Sequence, residues 1–196
     1  MRTVLEVVNA CLSSIGEAPL LELTDDHPLA ATAQETLKRV MVQEMSRQWW
    51  FNTDYLTLKV ANDKFIYVPQ DAVAVIPLQR ADLTLRGRRM YNRMEGTFEM
   101  KENVIAWVVR LLPFEDLPPP AQSFVEHSTV MLFQLEYDAD PIKTQQLQMH
   151  VQRAELVLNA EHIRQIKANP LLSPEIAQKR LRIGGGSLLL NHIPVR

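Results

Sequence analysis

The chain has 196 residues, 46% hydrophobic and 22% charged, a balance that excludes a collagen-like or wholly disordered polypeptide and allows a buried core. Its 21 lysines and arginines against 23 acids give a net charge of -2, which removes the simplest case for a free-standing nucleic-acid binder, whose domain is usually basic. The lone cysteine, Cys11, forms no internal disulfide and cannot by itself build a thiolate zinc site, so assembly in a reducing cytosol is expected.

Glu6 interrupts the apolar N-terminal stretch, unlike the continuous segment of a secretory signal, and no run reaches the ~18 apolar residues of a membrane span. No export and no membrane partner are expected. Thr3 and Glu6 have the spacing of a capping box, which starts a first helix with an apolar face of Val4, Leu5, Val8, Cys11, Leu12 and Ile15 and a stop at Gly16. Cys11 therefore reads as core. Pro28 suits the first turn of a second helix, striped by Ala33, Leu37, Val40, Met41 and Met45 and ending near Trp49-Trp50. With Phe51 these tryptophans form the densest aromatic cluster, expected to pack in the core with a partner for each indole N–H.

The period then changes. Tyr55 to Val60, Phe65 to Val68, Val73 to Ile76, Leu83 to Leu85, Met90-Tyr91 and Val104 to Leu111 read as strands, with Gly87 and Gly96 as turns. Links this short predict antiparallel pairing of neighbours, as hairpins or a meander. Pro118 to Pro120 open a third helix with a stripe of Phe124, Ser128, Met131, Leu132 and Leu135. Asp140-Pro141 caps a fourth, striped by Leu147, Val151, Ala154 and Leu158 and closed by Asn169-Pro170. The expected fold is α+β: a four-helix bundle-like domain (1–52 and 117–172), an inserted antiparallel β domain (53–116) and a C-terminal arm (173–196).

The arm breaks the pattern. A short helix from Ser173 carrying Lys179, Arg180 and Arg182 leads to a Gly184, Gly185, Gly186 hinge, and then to Leu188, Leu189, Leu190, Ile193 and Val195. Extended, Leu188 to Arg196 spans roughly 30 Å, enough to reach another subunit. A partner groove or added strand, or docking on its own domain, would each cover it.

Catalytic signatures are sparse. His27, His127, His150, His162 and His192 show no HExxH spacing, no cysteine cluster supplies ligands, and there is no GxSxG, P-loop or GxGxxG. No metal, cofactor or catalytic residue is expected. Glu115-Asp116 or Glu136 with Asp138 could pair as in a glycosidase, but a solvated surface is the simpler reading. The densest charge feature is Arg86, Arg88, Arg89 and Arg93 within eight residues. A solvated hairpin, an acidic protein partner and a phosphate backbone all fit it, with protein contact ahead because charge elsewhere is balanced.

Three segments carry a resemblance. Val8-Asn9-Ala10-Cys11-Leu12-Ser13-Ser14-Ile15-Gly16-Glu17-Ala18-Pro19 comes first. Ala33 through Arg47 with Trp50-Phe51-Asn52 comes next, then Val109-Arg110-Leu111 with Phe114-Glu115-Asp116-Leu117-Pro118. Together they resemble tail tubular protein A of short-tailed bacteriophages, the adaptor or gatekeeper below the portal. The family's Trp-x-Phe-Asn is departed from, in that Trp50 stands one position closer to Phe51. The segments are turn and packing devices, so the resemblance implies a fold and an assembly role.

It implies a dodecameric ring of copies between the portal protein and the tail nozzle (tubular protein B), in the virion tail and assembled in the host cytoplasm. The genome would pass through the ring without sequence-specific contact, and near-neutral walls would not grip it. Region by region, the aliphatic residues Leu188 to Val195 would latch the portal across the glycine hinge, and the arginine hairpin would seat the nozzle. Some relatives have been assigned glycan hydrolysis, which leaves a polysaccharide-hydrolysing tail protein as the alternative. A monomeric DNA-binding module using the four arginines is the third reading.

Overall fold

The computed structural model describes residues 2–24, 27–78 and 80–168, the last two by backbone alone. The fold is mixed α+β, with helices α1 (Val4–Ser14), α2 (Ala30–Met45), α3 (Pro119–Tyr137) and α4 (Pro141–Ala168). Strands β1 (Thr53–Leu58), β2 (Ala72–Pro77), β3 (Leu83–Arg86), β4 (Arg89–Asn92) and β5 (Val104–Arg110) lie between α2 and α3. Met1–Leu158 form one compact unit; α4 runs on from Asn159 into a second.

Local chemistry sets the helix ends. Thr3 and Glu6 form the expected reciprocal box, with the Thr3 N–H donating to Glu6 at 2.8 Å and the Glu6 N–H to Thr3 at 3.3 Å. At the other end Gly16 takes φ +86°, and the N–H groups of Gly16 and Glu17 return to the carbonyls of Ser13 and Leu12, a Schellman closure. Asp140 Oδ1 accepts from the N–H groups of Ile142 and Lys143, which starts α4 as its Asp-Pro sequence requires.

The helical stripes meet in two adjoining clusters. Leu37, Met41, Met45, Trp49, Phe114, Phe124, Val125, Ala154 and Leu158 make one, and Val8, Cys11, Leu12, Ala33, Val130 and Phe133 the other. Each Leu, Val, Met or Phe among them taken fully out of water contributes about 1.5 to 3 kcal/mol. On α3 the buried face is Ala121, Phe124, Val125, Thr129, Val130 and Phe133; of the expected stripe Leu135 is exposed and Ser128 and Met131 are half-buried. The Thr129 hydroxyl satisfies itself on the Val125 carbonyl at 2.7 Å, which lets a polar residue lie inward.

Other expectations need correction. Pro28 lies before α2, which begins at Ala30 behind Leu29, and the helix stops at Met45 instead of near Trp49-Trp50. Phe65 to Val68 is not a strand but holds single bridges, Val60 to Ile66 and Tyr67 to Arg89. A tight turn precedes it, with Lys64 at φ +66° and Asp63 accepting from the Phe65 N–H. Pairing is not of neighbours in the main sheet, whose order is β1-β5-β2, all antiparallel, so β5 inserts between two strands that precede it. Only β3 and β4 form the expected hairpin. Leu58, Ile66, Leu83, Met90, Met100, Val104, Ala106 and Val108 fill the strand core.

Candidate assembly surfaces

The arginine cluster occupies the β3–β4 hairpin. Gly87 at φ +59° stands first in a two-residue turn and Arg88 second, with Arg86 opposite Arg89, which is type II′ chemistry. Three of the four arginines are engaged by the fold. Arg86 Cζ sits 3.8 Å from the Tyr91 ring centre, Arg89 Cζ lies 4.4 Å from Phe98 and 5.1 Å from Phe65, and Arg93 donates to the Ala81 carbonyl. The first two are cation–π seats and the third is a hydrogen bond to the main chain, and together they hold the hairpin in place. Arg88, exposed at the tip, has no side-chain partner among the described residues.

Period-2 alternation puts Leu58, Val104, Ala106 and Val108 inward, and sends Tyr55, Ile105, Trp107 and Ile76 outward. Trp107 of β5 faces Tyr55 of β1 on one side and Ile76 of β2 on the other, with the Tyr55 and Trp107 rings edge-to-face at 5.2 Å. One row of the three-stranded sheet is thus aromatic and solvent-facing. Arg110 ties its end, reaching Asp54 at 3.0 Å and Asp71 at 2.6 Å.

Helix α4 has two apolar faces. Leu147, Val151, Ala154 and Leu158 turn inward as the sequence predicts. Ile142, Met149 and Leu156, spaced by seven, are 68%, 58% and 71% exposed. At 100° per residue this row lies about 180° from the buried one. A long helix with its second stripe in water has the sequence of a helix that packs on both sides. An open apolar groove lies on the same unit, about 400 Å³, lined by Val4, Leu37, Met41, Val42, Leu112 and Phe114 among others.

The motif residues are structural. Trp49, rather than Trp50, is the buried tryptophan, donating its indole N–H to the Glu44 carbonyl at 3.0 Å and stacking on Phe51 at 6.3 Å. Trp49-Trp50-Phe51-Asn52 therefore keeps the Trp-x-Phe-Asn spacing. Asn52, 1% exposed, accepts from the Trp49 N–H and donates to the carbonyls of Met45 and Arg47. That is why α2 stops where it does. Asn9 similarly clamps the turn after Gly16 by bonding both main-chain groups of Leu20.

The carboxylates named from sequence do not form one cluster of free acids. Glu136 pairs with Arg39 at 2.6 Å, and Asp138 is bound by Gln134 and Lys143, which hold it below the usual carboxylate range. Glu115 accepts from the Val4 N–H at 3.4 Å, and Asp116 is exposed beside it. Burial pushes the Cys11 thiol up to about 12, with Glu126 adding to the effect. Among the described residues no group of three or more His, Cys, Asp or Glu is placed to hold a metal ion, and no helix is long and apolar enough to cross a membrane. The Gly184, Gly185, Gly186 hinge and the aliphatic Leu188, Leu189, Leu190, Ile193 and Val195 lie outside the described residues, as do Asn169-Pro170 and the short helix expected from Ser173.

Sequence periodicity also holds the outer row of α4, at Ile142, Met149 and Leu156, beside the stronger inward stripe. Nothing in the sequence could have found the Tyr55–Trp107 row, because it depends on a strand pairing some fifty residues apart.

Comparison with known proteins agrees with the resemblance. The family described as Tube: Tail tubular protein matches residues 5–168. Tail tubular protein A of Klebsiella phage KP34 is 29% identical over 126 residues, 64% of this chain and 68% of that protein.

Proposed function

The chain belongs to the tail tubular protein family, a structural component of the phage tail, and from that premise we propose that it is a head-to-tail adaptor. In this reading copies assemble as a ring, a dodecamer, between the portal protein and the tail nozzle, and form part of the conduit through which DNA leaves. The helices make a four-helix bundle-like domain (1–52 and 117–172) that faces the portal, and the inserted β domain (53–116) faces the nozzle.

The observation that carries this reading is the two-faced helix α4, whose Ile142, Met149 and Leu156 remain in water while its opposite face fills the core. A solitary globule gains nothing from such a row, whereas a ring subunit buries it against the next copy. The groove lined by Leu37, Met41, Val42 and Leu112 is a different patch of the same unit. Ridge-to-groove contact between copies is heterologous, the kind that closes into rings.

The arm from residue 173 adds the latch: Leu188, Leu189, Leu190, Ile193 and Val195 dock on the portal, with Gly184 to Gly186 as the hinge. Many tethered arms on one ring engage a second ring at high effective concentration. Arg88, which has no side-chain partner among the described residues, meets the nozzle, while Arg86, Arg89 and Arg93 hold the hairpin in shape.

Truncation after Gly184 tests the latch. The shortened chain is expected to keep its circular dichroism and lose at least tenfold in affinity for purified portal; full affinity without the arm contradicts it.

A further inference from the structure

Between α3 and α4 is a cleft of about 280 Å³ lined by Ser123, His127, His150 and Arg153 with Pro120, Ala154 and Val157. Its polar groups have one property in common. The side chains of Ser123, His127, His150 and Arg153 make no hydrogen bond or ion pair among the described residues. The two imidazoles stack instead, with ring centres 5.6 Å apart and planes within 27°. No carboxylate lines the cleft. Glu126 and Glu155, each next to a lining residue or near it in sequence, are taken by Arg2 and by Arg47.

We propose that this cleft is a binding site for a phosphate group, with Arg153 as the charged anchor and Ser123, His127 and His150 as further donors. The guanidinium offers N–H groups in a fixed fork, the hydroxyl another, and each imidazole at least one N–H. A ligand that satisfies all four must be an acceptor on every side and negatively charged, which a tetrahedral oxyanion is. The cleft, at about 280 Å³, has room for one phosphate with bridging waters. The site stands on geometry independent of the adaptor reading.

Protonation is coupled to occupancy. Partial burial, then the nearby Arg2 and then His150, hold the His127 imidazole below its ordinary value when the cleft is empty. The charged groups around it are Arg2 from the N-terminal segment, Glu126 on its own helix with Glu6 of α1 acting on that carboxyl, and His150 and Arg153 of α4. An anion held at the ring edges, where the imidazole N–H groups point, favours the imidazolium form of His127. Binding therefore tightens as pH falls, by up to about tenfold per pH unit where one proton is taken up with the anion.

The test follows the imidazole carbon-bound proton resonances of the full chain by NMR during titration with inorganic phosphate at pH 6. Sulfate, whose charge is constant, gives the pH profile from 5.5 to 8. Phosphate is expected to shift His127 and His150 saturably and to raise the apparent pKa of His127, and Arg153→Gln is expected to weaken binding at least tenfold while leaving the circular dichroism intact. Absence of any shift at 20 mM phosphate overturns the site, and so does an unchanged titration in Arg153→Gln. A twelve-base-pair duplex that shifts the same two resonances identifies the nucleic-acid backbone as the phosphate source, and a duplex that leaves them unmoved while inorganic phosphate binds identifies the free ion.

Discussion

Asn52 holds the end of α2 by donating its side-chain amide to the Met45 carbonyl at 2.8 Å, and a second donation reaches Arg47 at 3.2 Å. The same side chain accepts from the Trp49 N–H at 2.9 Å, so one buried amide fixes the chain between the helical core and β1. Asn52→Ala leaves these main-chain groups buried without partners and is expected to cost about 3 kcal/mol. Urea unfolding followed by Trp fluorescence measures it, and a wild-type midpoint would show that the amide holds nothing.

Cys11 is fully buried with its thiol pushed up to about 12. A thiolate-specific reagent at pH 8 is expected to leave the native chain unmodified and to label it stoichiometrically in denaturant. Labelling of the folded chain within seconds would contradict the packing of α1.

The hairpin arginines separate by role. Arg89→Ala removes a guanidinium from two rings and is expected to destabilise by about 1 kcal/mol or more. Arg88→Ala, with no such contacts, is expected to stay within about 0.5 kcal/mol of the parent. Thermal melts of the two variants check this, and the proposed nozzle contact requires that Arg88→Ala be the one that weakens nozzle binding without loss of stability.

Stability should carry the imprint of His127. Its folded-state proton affinity is lowered, so the unfolded chain binds that proton more readily; stability is intact above the unfolded imidazole value near 6.5 and is lost as pH falls below it. In a phosphate-free buffer, His127→Gln should flatten the decline in unfolding free energy between pH 7 and 5. Parallel profiles for parent and variant would exclude the linkage.

The outer row of α4 can be altered without touching the core. Met149→Glu with Leu156→Glu is expected to leave the melting temperature of the isolated chain within a few degrees and to abolish ring formation. A melting temperature that collapses would show that the row is buried by the same chain.

Elements that rest on local chemistry were legible before the structure: the Thr3–Glu6 box, the stop at Gly16, the α2 stripe and the Asp140-Pro141 start each depend on residues within one or two turns. What escaped depends on partners far away in sequence. The pairing of Thr53 with Val109 puts β5 in the centre of a sheet that short links alone assign to neighbours. The end of α2 is set by Asn52, seven residues beyond Met45, and apolar Trp49 gives no hint of a break. The α3 stripe rotated because Thr129 satisfies its own hydroxyl and can face inward. For the candidate surfaces, composition located the arginines, and only the rings beneath Arg86 and Arg89 and the Ala81 carbonyl at Arg93 show that three are engaged while Arg88 has no side-chain partner among the described residues.

Sedimentation of the full chain mixed with its cognate portal, followed by electron micrographs of the complex, addresses the adaptor role most directly. A closed ring of copies on one end of each portal is expected, present with the parent chain and missing with Met149→Glu and Leu156→Glu together. Portal that sediments unchanged beside a monomeric chain would contradict it.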